Sequence, residues 1–343
     1  MVAPSERLYI RVDASPHTGL GHFTRCLALA QHWRDIGRPA TFLGRYAEEL
    51  EERLAREGIS HTPLPASHPD KRDLRTTLDA VPSGAFVVVD GYHFDYAYQA
   101  ALAVERRVLV IDDIGHLPAY GGHVLLNANL AAREVVYAQA PRERLIGPEY
   151  ALVRREFRVR RAKLAPRGRP MRRIAVTLGG ADAANDTLKV LAGLAQSDAN
   201  GMDVRVVVGP LNPHSRALEA FADAHAWITL VESPADMAAE LAAADLVVAS
   251  AGSVFFEIAV LGLPSVLVAA ADNQLPVGAA AARAGAAVFA GDARQLDARA
   301  YAAILNRAVG NAGEIERIRA NAVKLIDGDG VVRVGEAVLK GVN

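Results

Sequence analysis

The chain has 343 residues, more than one hydrophobic core usually supports, so two domains are expected. Hydrophobic residues make up 51% of the chain and charged residues 22%, a composition that favours a globular protein with ample apolar surface to bury. The 38 Lys and Arg residues nearly balance the 39 Asp and Glu residues, so the overall charge gives no indication of nucleic-acid or anionic-membrane binding.

The first half of the chain alternates short β-branched segments with Ala- and Leu-rich helical segments, the pattern of a parallel sheet with crossover helices. The predicted strands of this half are 8–12, 40–43, 86–90, 108–111 and 124–127. Between the first two strands, apolar residues recur at spacings of three and four, which predicts a helix with one apolar face: Phe23, Cys26, Leu27, Ala30 and Trp33.

Residues 154–173 differ from the flanking sequence because they contain ten Arg or Lys residues and one acidic residue. This composition favours a solvated linker, with a phosphate-binding segment as the alternative. A second alternating half follows, with predicted strands at 174–178, 204–208, 228–231, 246–249, 265–269 and 287–289. Residues 299–343 are expected to form two or three helices that close the second domain.

These patterns predict an α/β protein of two Rossmann-like domains, residues 1–155 and 173–343, joined by a basic linker at 156–172. In open parallel sheets, ligands bind outside the carboxyl ends of the strands. Two sheets that face each other point both sets of strand ends toward one inter-domain cleft, which is therefore the expected binding site.

The single cysteine, Cys26, excludes an intramolecular disulfide and a multi-cysteine metal site. The N-terminal segment lacks the basic region and the long apolar region of a signal peptide. The longest apolar stretches, such as 261–271, contain Gly and Pro and are too short to span a bilayer. We therefore expect a cytoplasmic protein without stable membrane association.

The first candidate motif lies between the first predicted strand and the first helix, from Asp13 to His22. Gly19 and Gly21 let the backbone turn tightly and approach a ligand, and the helix that follows presents free N–H groups to an anion. His22 lies in the first turn of that helix, where the N-terminus disfavours an imidazolium. A neutral imidazole that accepts a proton is therefore expected there, with Arg25 close by.

The second motif, Gly179-Gly180-Ala-Asp182, ends the first strand of the second half and opens onto a helix. One interpretation is a strand-to-helix turn in which Asp182 and Asn185 cap the helix. The other interpretation is a cradle for a diphosphate or a nucleotide.

The third motif begins with small residues that follow a predicted strand: Ser250, Gly252 and Ser253. Such a turn directs hydroxyl groups and amide donors at a ligand. Glu257 lies one turn into the next helix among apolar residues, so its carboxylate needs either a salt bridge or the two hydroxyl groups of a ribose. Asn273 and Gln274 are either a helix N-cap or amides that bind a sugar.

Two weaker motifs also follow strands of the first half: the Asp-Gly-Tyr-His segment at 90–93 and the pair Asp112-Asp113. Both should direct side chains toward the same carboxyl edge of the sheet. Paired aspartates can bind a metal, but without further ligands nearby the first one more often caps a turn. His116 and His123 do not supply that ligand set, so no metal site is predicted.

In chain order these motifs resemble the UDP-diacetamido-trideoxy-altrose hydrolases of pseudaminic acid biosynthesis, over residues from about 8 to about 288. The segments that carry the resemblance are Gly-Leu-Gly-His22, Val-Asp-Gly-Tyr92, Ile-Asp-Asp113, Gly147-Pro148-Glu-Tyr150, Gly179-Gly180-Ala-Asp182, Ser-Ala-Gly252-Ser253-x-x-x-Glu257 and Ala-Asp272-Asn273-Gln274. The family is similar to the GT-B glycosyltransferases, and in its second half to the glycosyltransferase that makes lipid II.

The resemblance implies that His22 activates a water for attack on the anomeric carbon of a UDP-sugar. The C1–O bond then breaks, UDP leaves and the anomeric centre is inverted, without a metal or another cofactor. It further implies a route that leads to flagellin or a surface polysaccharide.

Site residues follow from the same resemblance together with the motifs. Substrate contacts are predicted at Asp13, Gly19, Gly21, Arg25, Tyr92, Asn273 and Gln274. Contacts to the nucleotide are predicted at Gly179, Gly180, Ser250, Gly252, Ser253 and Glu257.

Three other functions stay open. A glycosyltransferase of the same architecture would use His22 to deprotonate an acceptor hydroxyl instead of water. A related hydrolase would act on another UDP- or CMP-linked amino sugar. A catalytically silent nucleotide-sugar sensor or scaffold subunit is the third, although the presence of His22 disfavours it. The sequence gives no indication of the oligomeric state.

Overall fold

The computed structural model describes residues 6–15, 20–161 and 171–340. The chain divides into two compact units. The first contains the described residues up to Arg155 together with those from Gly328 onward, and the second extends from Glu156 to Asp327. Each unit is an α/β domain built on one parallel sheet.

The first unit contains a 7-stranded sheet. Its strands are β1 (Leu8–Val12), β2 (Ala40–Gly44), β3 (Ser60–Pro63), β4 (Phe86–Asp90), β5 (Arg107–Ile111), β6 (Val124–Asn127) and β7 (Glu143–Ile146). Its helices before the boundary are α1 (Gly21–Asp35), α2 (Glu48–Arg56), α3 (Lys71–Ala80) and α4 (Tyr96–Ala103).

The first sheet has the strand order β3-β2-β1-β4-β5-β6-β7. Its central strands β1 and β4 are buried along their whole length, which explains why all their residues are apolar except Arg11 and Asp90. The order reverses between β1 and β4, and a crevice forms at such a reversal outside the carboxyl ends of the strands. The edge strand β3 was not predicted, because its sequence Ser-His-Thr-Pro is polar and largely accessible.

The second unit contains a 6-stranded parallel sheet in the order β10-β9-β8-β11-β12-β13. Its strands are β8 (Arg173–Thr177), β9 (Asp203–Val208), β10 (Ile228–Glu232), β11 (Leu246–Ser250), β12 (Ser265–Ala269) and β13 (Val288–Asp292). Its helices are α6 (Asp186–Ala195), α7 (Ser215–Asp223), α8 (Met237–Ala242), α9 (Val254–Val260), α10 (Leu275–Arg283), α11 (Ala298–Gly310) and α12 (Ala312–Leu325). Here the reversal lies between β8 and β11.

The expected basic linker at 156–172 begins instead with a helix, α5 (Arg155–Arg161), in which Phe157 is fully buried. Arg155 joins the start of this helix to Asp35 and Glu57 of the first unit. Residues 162–170 of the predicted linker lie outside the described residues.

The C-terminal stretch ends in helix α13 (Gly330–Lys340). This helix was predicted to close the second domain, but it lies with the first unit. Three residues of its apolar face belong to the core of the first unit: Val331, Val334 and Val338. Gly330 allows the close approach, since a Cβ atom there would lie 2.2 Å from the carbonyl oxygen of Ala151. Among the helices of the described ranges, none is long and apolar enough to cross a membrane.

Candidate active site

A buried histidine–aspartate pair lies at the strand reversal of the first sheet. Asp90 is the last residue of β4 and is fully buried, and His22 is the second residue of α1, which follows β1. The Nδ1 atom of His22 lies 2.7 Å from Oδ1 of Asp90. The side chain of His22 is 13% exposed, so the pair is not fully closed off from solvent.

Arg25 lies one turn after His22 and joins two carboxylates. Its Nε and Nη2 atoms donate to the two oxygens of Asp90, both at 2.6 Å. Its Nη1 atom donates to both oxygens of Asp113 at 2.7 and 2.8 Å. Burial alone would raise the pKa of Asp90, but the positive charge of Arg25 outweighs burial and holds that pKa below its ordinary value. Asp90 therefore carries a negative charge at neutral pH.

The contacts of the His22 ring decide which nitrogen carries the proton. Nη2 of Arg25 also lies 3.0 Å from Nδ1, but one of its two N–H groups donates to Asp90, and its contact with Nδ1 is longer than the 2.7 Å contact between Nδ1 and Asp90. With the proton on Nδ1, the ring donates to an ionised carboxylate at 2.7 Å. With the proton on Nε2, two lone pairs would face each other at that distance. The geometry therefore favours Nδ1–H, which leaves the lone pair of Nε2 as a proton acceptor.

Tyr92 packs beside this pair. Its ring meets the ring of His22 edge-on, with centroids 4.9 Å apart. Its hydroxyl donates to Oδ2 of Asp113 at 2.6 Å, while Asn129 donates to Oδ1 of the same carboxylate at 2.9 Å. The structure thus brings two of the predicted site residues, His22 and Tyr92, into ring contact. Each of them contacts a different carboxylate, and Arg25 pairs with both carboxylates.

Asp13, a predicted substrate contact, already has four hydrogen-bond donors within the protein. Arg11 donates to its two oxygens at 2.8 and 2.7 Å, and the amide of Arg45 and the ring of His93 occupy the remaining positions. Burial would raise the pKa of Asp13, but the hydrogen bonds from His93 and Arg11 lower it below the ordinary value. Arg11 is itself paired with buried Asp73. This carboxylate is saturated before any ligand arrives.

Of the two predicted glycines in this motif, Gly19 lies outside the described residues. Gly21 begins α1 and is exposed. Within the described residues, no side chain caps the helix at Leu20. The N–H groups of the first turn of α1 therefore lie next to His22, and the cap residue Leu20 supplies no side-chain acceptor for them.

Asp112 caps a turn, which was the alternative to a metal site for the Asp112-Asp113 pair. Its Oδ2 atom accepts hydrogen bonds from the amides of Ile114 and Gly115 at 3.0 and 2.7 Å, so it caps a turn. His116 lies 2.6 Å from its other oxygen. Among the residues that the structure describes, no group of three or more His, Cys, Asp or Glu side chains is arranged to hold a metal ion.

In the second unit, four of the predicted nucleotide or substrate residues meet at the reversal between β8 and β11. A Cβ atom built on Gly179 would lie 3.8 Å from Oγ of Ser250. One built on Gly252 would lie 3.9 Å from the same Oγ and 3.6 Å from Nε2 of Gln274. Gly179 has a φ of +98°, a conformation that favours glycine. Two glycines, the hydroxyl of Ser250 and the amide of Gln274 therefore lie close together at this edge of the sheet.

The helix after Gly180 is capped by the protein itself. Asp182 accepts hydrogen bonds from the amides of Asp186 at 2.8 Å and Thr187 at 3.0 Å. This supports the capping interpretation for Asp182, whereas the Asn185 side chain makes no capping bond to described residues. Burial raises the pKa of Asp182. The first amides of α6 are therefore occupied by a carboxylate and are poor candidates for binding a diphosphate.

The remaining predicted residues surround the turn between β11 and α9. Ser253 precedes α9 and makes no side-chain capping bond to described residues, and Glu257 is buried within that helix. Gln274 accepts a hydrogen bond from the amide of Ala270 at 2.9 Å, which leaves its NH₂ group to face Gly252. Asn273 lies beside it in a 3-10 helix and is half-buried.

The ionised carboxylates of the first unit predict acid sensitivity. Asp90, Asp13 and Asp112 each have a folded-state pKa below the ordinary 3.8, although burial opposes the shift. A depressed pKa contributes stability above the unfolded-state pKa, and this stability is lost as the pH falls toward the folded-state pKa. We expect the denaturant concentration at the unfolding midpoint of the first unit to be lower at a pH just below 3.8 than at neutral pH.

The fluorescence of buried Trp33 in a Trp227→Phe background reports this unit alone, because the chain has 2 tryptophans and the other lies in the second unit. An equal midpoint at both pH values would show that the carboxylates are not held ionised by the fold.

Comparison with known proteins gives distant relatives. No protein-family model matches the sequence. An uncharacterized protein of Methanocaldococcus jannaschii is 23% identical over 272 residues, which cover 76% of this chain and 55% of that protein. The spore coat polysaccharide biosynthesis protein SpsG of Bacillus subtilis is 25% identical, over 59% of this chain and 60% of that protein. This chain thus spans about 55–60% of the length of these two relatives.

A third relative is the UDP-2,4-diacetamido-2,4,6-trideoxy-beta-L-altropyranose hydrolase of Campylobacter jejuni, which is 23% identical over 65% of this chain and 77% of that protein.

Solved structures match nearly the whole chain. Acinetobacter baumannii MurG has a TM-score of 0.64 at 17% identity, covering 98% of this chain and 99% of that one. The calicheamicin glycosyltransferase CalG4 has a TM-score of 0.63 at 13% identity, with 98% of each chain covered. Anabaena HepE in complex with UDP-glucose has a TM-score of 0.62 at 12% identity, with 98% and 99% covered. Together with the two parallel sheets, these likenesses show that the chain has a GT-B-like fold of two Rossmann-like domains.

Proposed function

We propose that this protein hydrolyses a UDP-activated diacetamido-trideoxy sugar at the anomeric C1–O bond, as a step in pseudaminic acid biosynthesis. UDP and the free sugar are released, with inversion at the anomeric carbon. The observation that carries the proposal is the hydrogen bond between Nδ1 of His22 and buried Asp90, which leaves Nε2 as the base for a water.

The first unit supplies this base and its surroundings. His22 takes a proton from the attacking water, and the hydroxyl-bearing ring of Tyr92 lies against the imidazole, where a sugar is proposed to bind. Asp13 and Arg25 have their polar atoms engaged within the protein, so we propose that they organise the site and do not contact the sugar. Gly19 and Gly21 stay proposed substrate contacts through their backbone.

The second unit binds UDP in this proposal. Because Asp182 occupies the first amides of α6, the donors to the diphosphate come mainly from the turn at Gly252 and Ser253, with the backbone at Gly179 and Gly180 and the hydroxyl of Ser250 beside it. Amide donors of this kind stabilise the charge that develops on UDP as the C1–O bond breaks.

Recognition of the rest of the substrate is assigned to the neighbouring side chains. The buried carboxylate of Glu257 is proposed to accept hydrogen bonds from the ribose hydroxyls. Asn273 and Gln274 are proposed to bind the sugar through their amide groups. The choice of a diacetamido sugar is supported by the similarity to the Campylobacter jejuni hydrolase, and the SpsG relative makes other amino sugars the alternative.

The test is to incubate the purified protein with the UDP-diacetamido-trideoxy-altrose in the presence of a chelator and without any acceptor. We expect equimolar UDP and free sugar, with the first-formed sugar anomer inverted when followed by proton NMR. UDP-N-acetylglucosamine serves as the comparison substrate. Release of UDP only after an acceptor is added would replace this proposal with a glycosyltransferase.

A further inference from the structure

Among the described residues around His22, Arg25 is the one side chain that donates hydrogen bonds to both Asp90 and Asp113. These residues, with His22 and Tyr92, are referred to below as the cluster. One edge of the Arg25 guanidinium faces Asp90, and Nη1 faces Asp113. Asp90 contacts the His22 ring, and Asp113 accepts the Tyr92 hydroxyl. The positions of the imidazole and the phenol are thus both fixed through one guanidinium.

Each nitrogen of the guanidinium already donates to a carboxylate within the protein. An arginine carries five N–H groups, and those of Arg25 are directed at the two carboxylates and toward Nδ1 of His22. Its side chain is only 15% exposed. A ligand anion would have to displace a carboxylate that is itself buried, which leaves an uncompensated charge and is strongly unfavourable.

The charges explain why an arginine is needed here. Asp90 and Asp113 approach the same guanidinium from two sides, and neither is appreciably exposed. Without a cation between them, two buried carboxylates do not both stay ionised, and one takes up a proton. A protonated Asp90 would donate to Nδ1 and place the ring proton on Nε2, the atom that has to accept a proton from water.

We propose that Arg25 is a positioning residue that acts through Asp90 and Asp113 to hold the Nδ1–H form of His22 and the hydroxyl of Tyr92 in one arrangement. The inference rests on the proposed function for its kinetic part only. Its structural part, the form of the His22 ring, can be measured on the free protein.

The experiment compares Arg25→Gln with Arg25→Gln/Asp113→Asn. The single substitution leaves two carboxylates without a cation, and the second removes one of those negative charges, which restores the net charge of the cluster. We expect Arg25→Gln to lower kcat by about 10- to 100-fold, the size of effect that loss of an outer-shell partner of a functional histidine has at metal sites. The double variant should recover much of that loss, and KM should change little in either.

Nitrogen-15 NMR of the imidazole, recorded without substrate, supplies a readout that does not depend on activity. We expect the Nδ1–H form in the wild type and in the double variant, and a changed form in Arg25→Gln. Arg155→Gln is the matched control, because Arg155 also joins two carboxylates of the first unit, Asp35 and Glu57, without contacting His22. In the Arg155→Gln variant, the form of the His22 ring and the kcat should equal those of the wild type.

Arg25→Lys covers the case in which Arg25→Gln does not fold, since it retains the charge; it should keep the Nδ1–H form. A raised KM with unchanged kcat and an unchanged ring would overturn the proposal and make Arg25 a substrate ligand. A double variant no better than Arg25→Gln in kcat and in ring form would also overturn it. If the wild type releases no UDP from any sugar, the NMR comparison still decides the positioning role, while the proposed function fails separately.

Discussion

His22→Ala is expected to lower kcat for UDP release by about 10²- to 10⁴-fold, the usual contribution of a positioned general base. The remaining activity comes from the donors that stabilise the leaving UDP, which this substitution does not touch. KM should change little because the imidazole acts on water and not on the bound nucleotide. The measurement is steady-state UDP release, with circular dichroism and the unfolding midpoint recorded for both proteins.

His116→Ala is the matched control for this prediction. His116 also lies against a buried carboxylate, Asp112, at 2.6 Å, but it follows β5 in a capped turn and does not lie at the start of α1. Because the His116 ring also meets the ring of Tyr92 edge-on, with centroids 5.3 Å apart, we expect His116→Ala to lose a small part of the activity, far less than His22→Ala loses. Unchanged turnover in His22→Ala would remove the general base from the mechanism, and equal losses in both variants would indicate a general disturbance of the cluster.

The central strands could be predicted because strands that are buried on both faces consist mainly of apolar residues. Strands β1 and β4 are apolar apart from one charged residue each, Arg11 and Asp90, and lie in the middle of the sheet. The edge strands β3 and β7 carry polar residues and have one neighbour each, so their pattern does not differ from that of a loop. The apolar stripe of α13 is visible in the sequence, but which sheet it covers depends on contacts distant in the chain.

The motifs located the candidate site, but the sequence did not reveal how its charges are satisfied. Asp13 and Arg25 have the chemistry of ligands, and only the fold shows that each already has its partners in Arg11 and Asp90. Asp90 was noted only as a residue after a strand. A carboxylate that ends an otherwise apolar strand was the available signal for a buried partner. Asn129 gave no signal of this kind.

Asp90→Asn tests the orientation of the base directly, and we expect it to lower kcat by up to about 10⁴-fold with little change in KM. An amide has one acceptor oxygen and one NH₂ group. Both carboxylate oxygens of Asp90 face donors of Arg25, but only Oδ1 also faces a ring nitrogen that can become an acceptor. The NH₂ group should therefore take the place of Oδ1 and donate to Nδ1.

The ring proton then moves to Nε2, so the atom that has to accept a proton from water already carries one. Nitrogen-15 NMR of the free protein should show the Nε2–H form in this variant and the Nδ1–H form in the wild type. Asp112→Asn is the matched control because it changes another buried aspartate–histidine pair while leaving His22 and Asp90 in contact. Loss of activity with an unchanged ring form would show that Asp90 supports the fold only. A changed ring form with full activity would show that His22 is not the base.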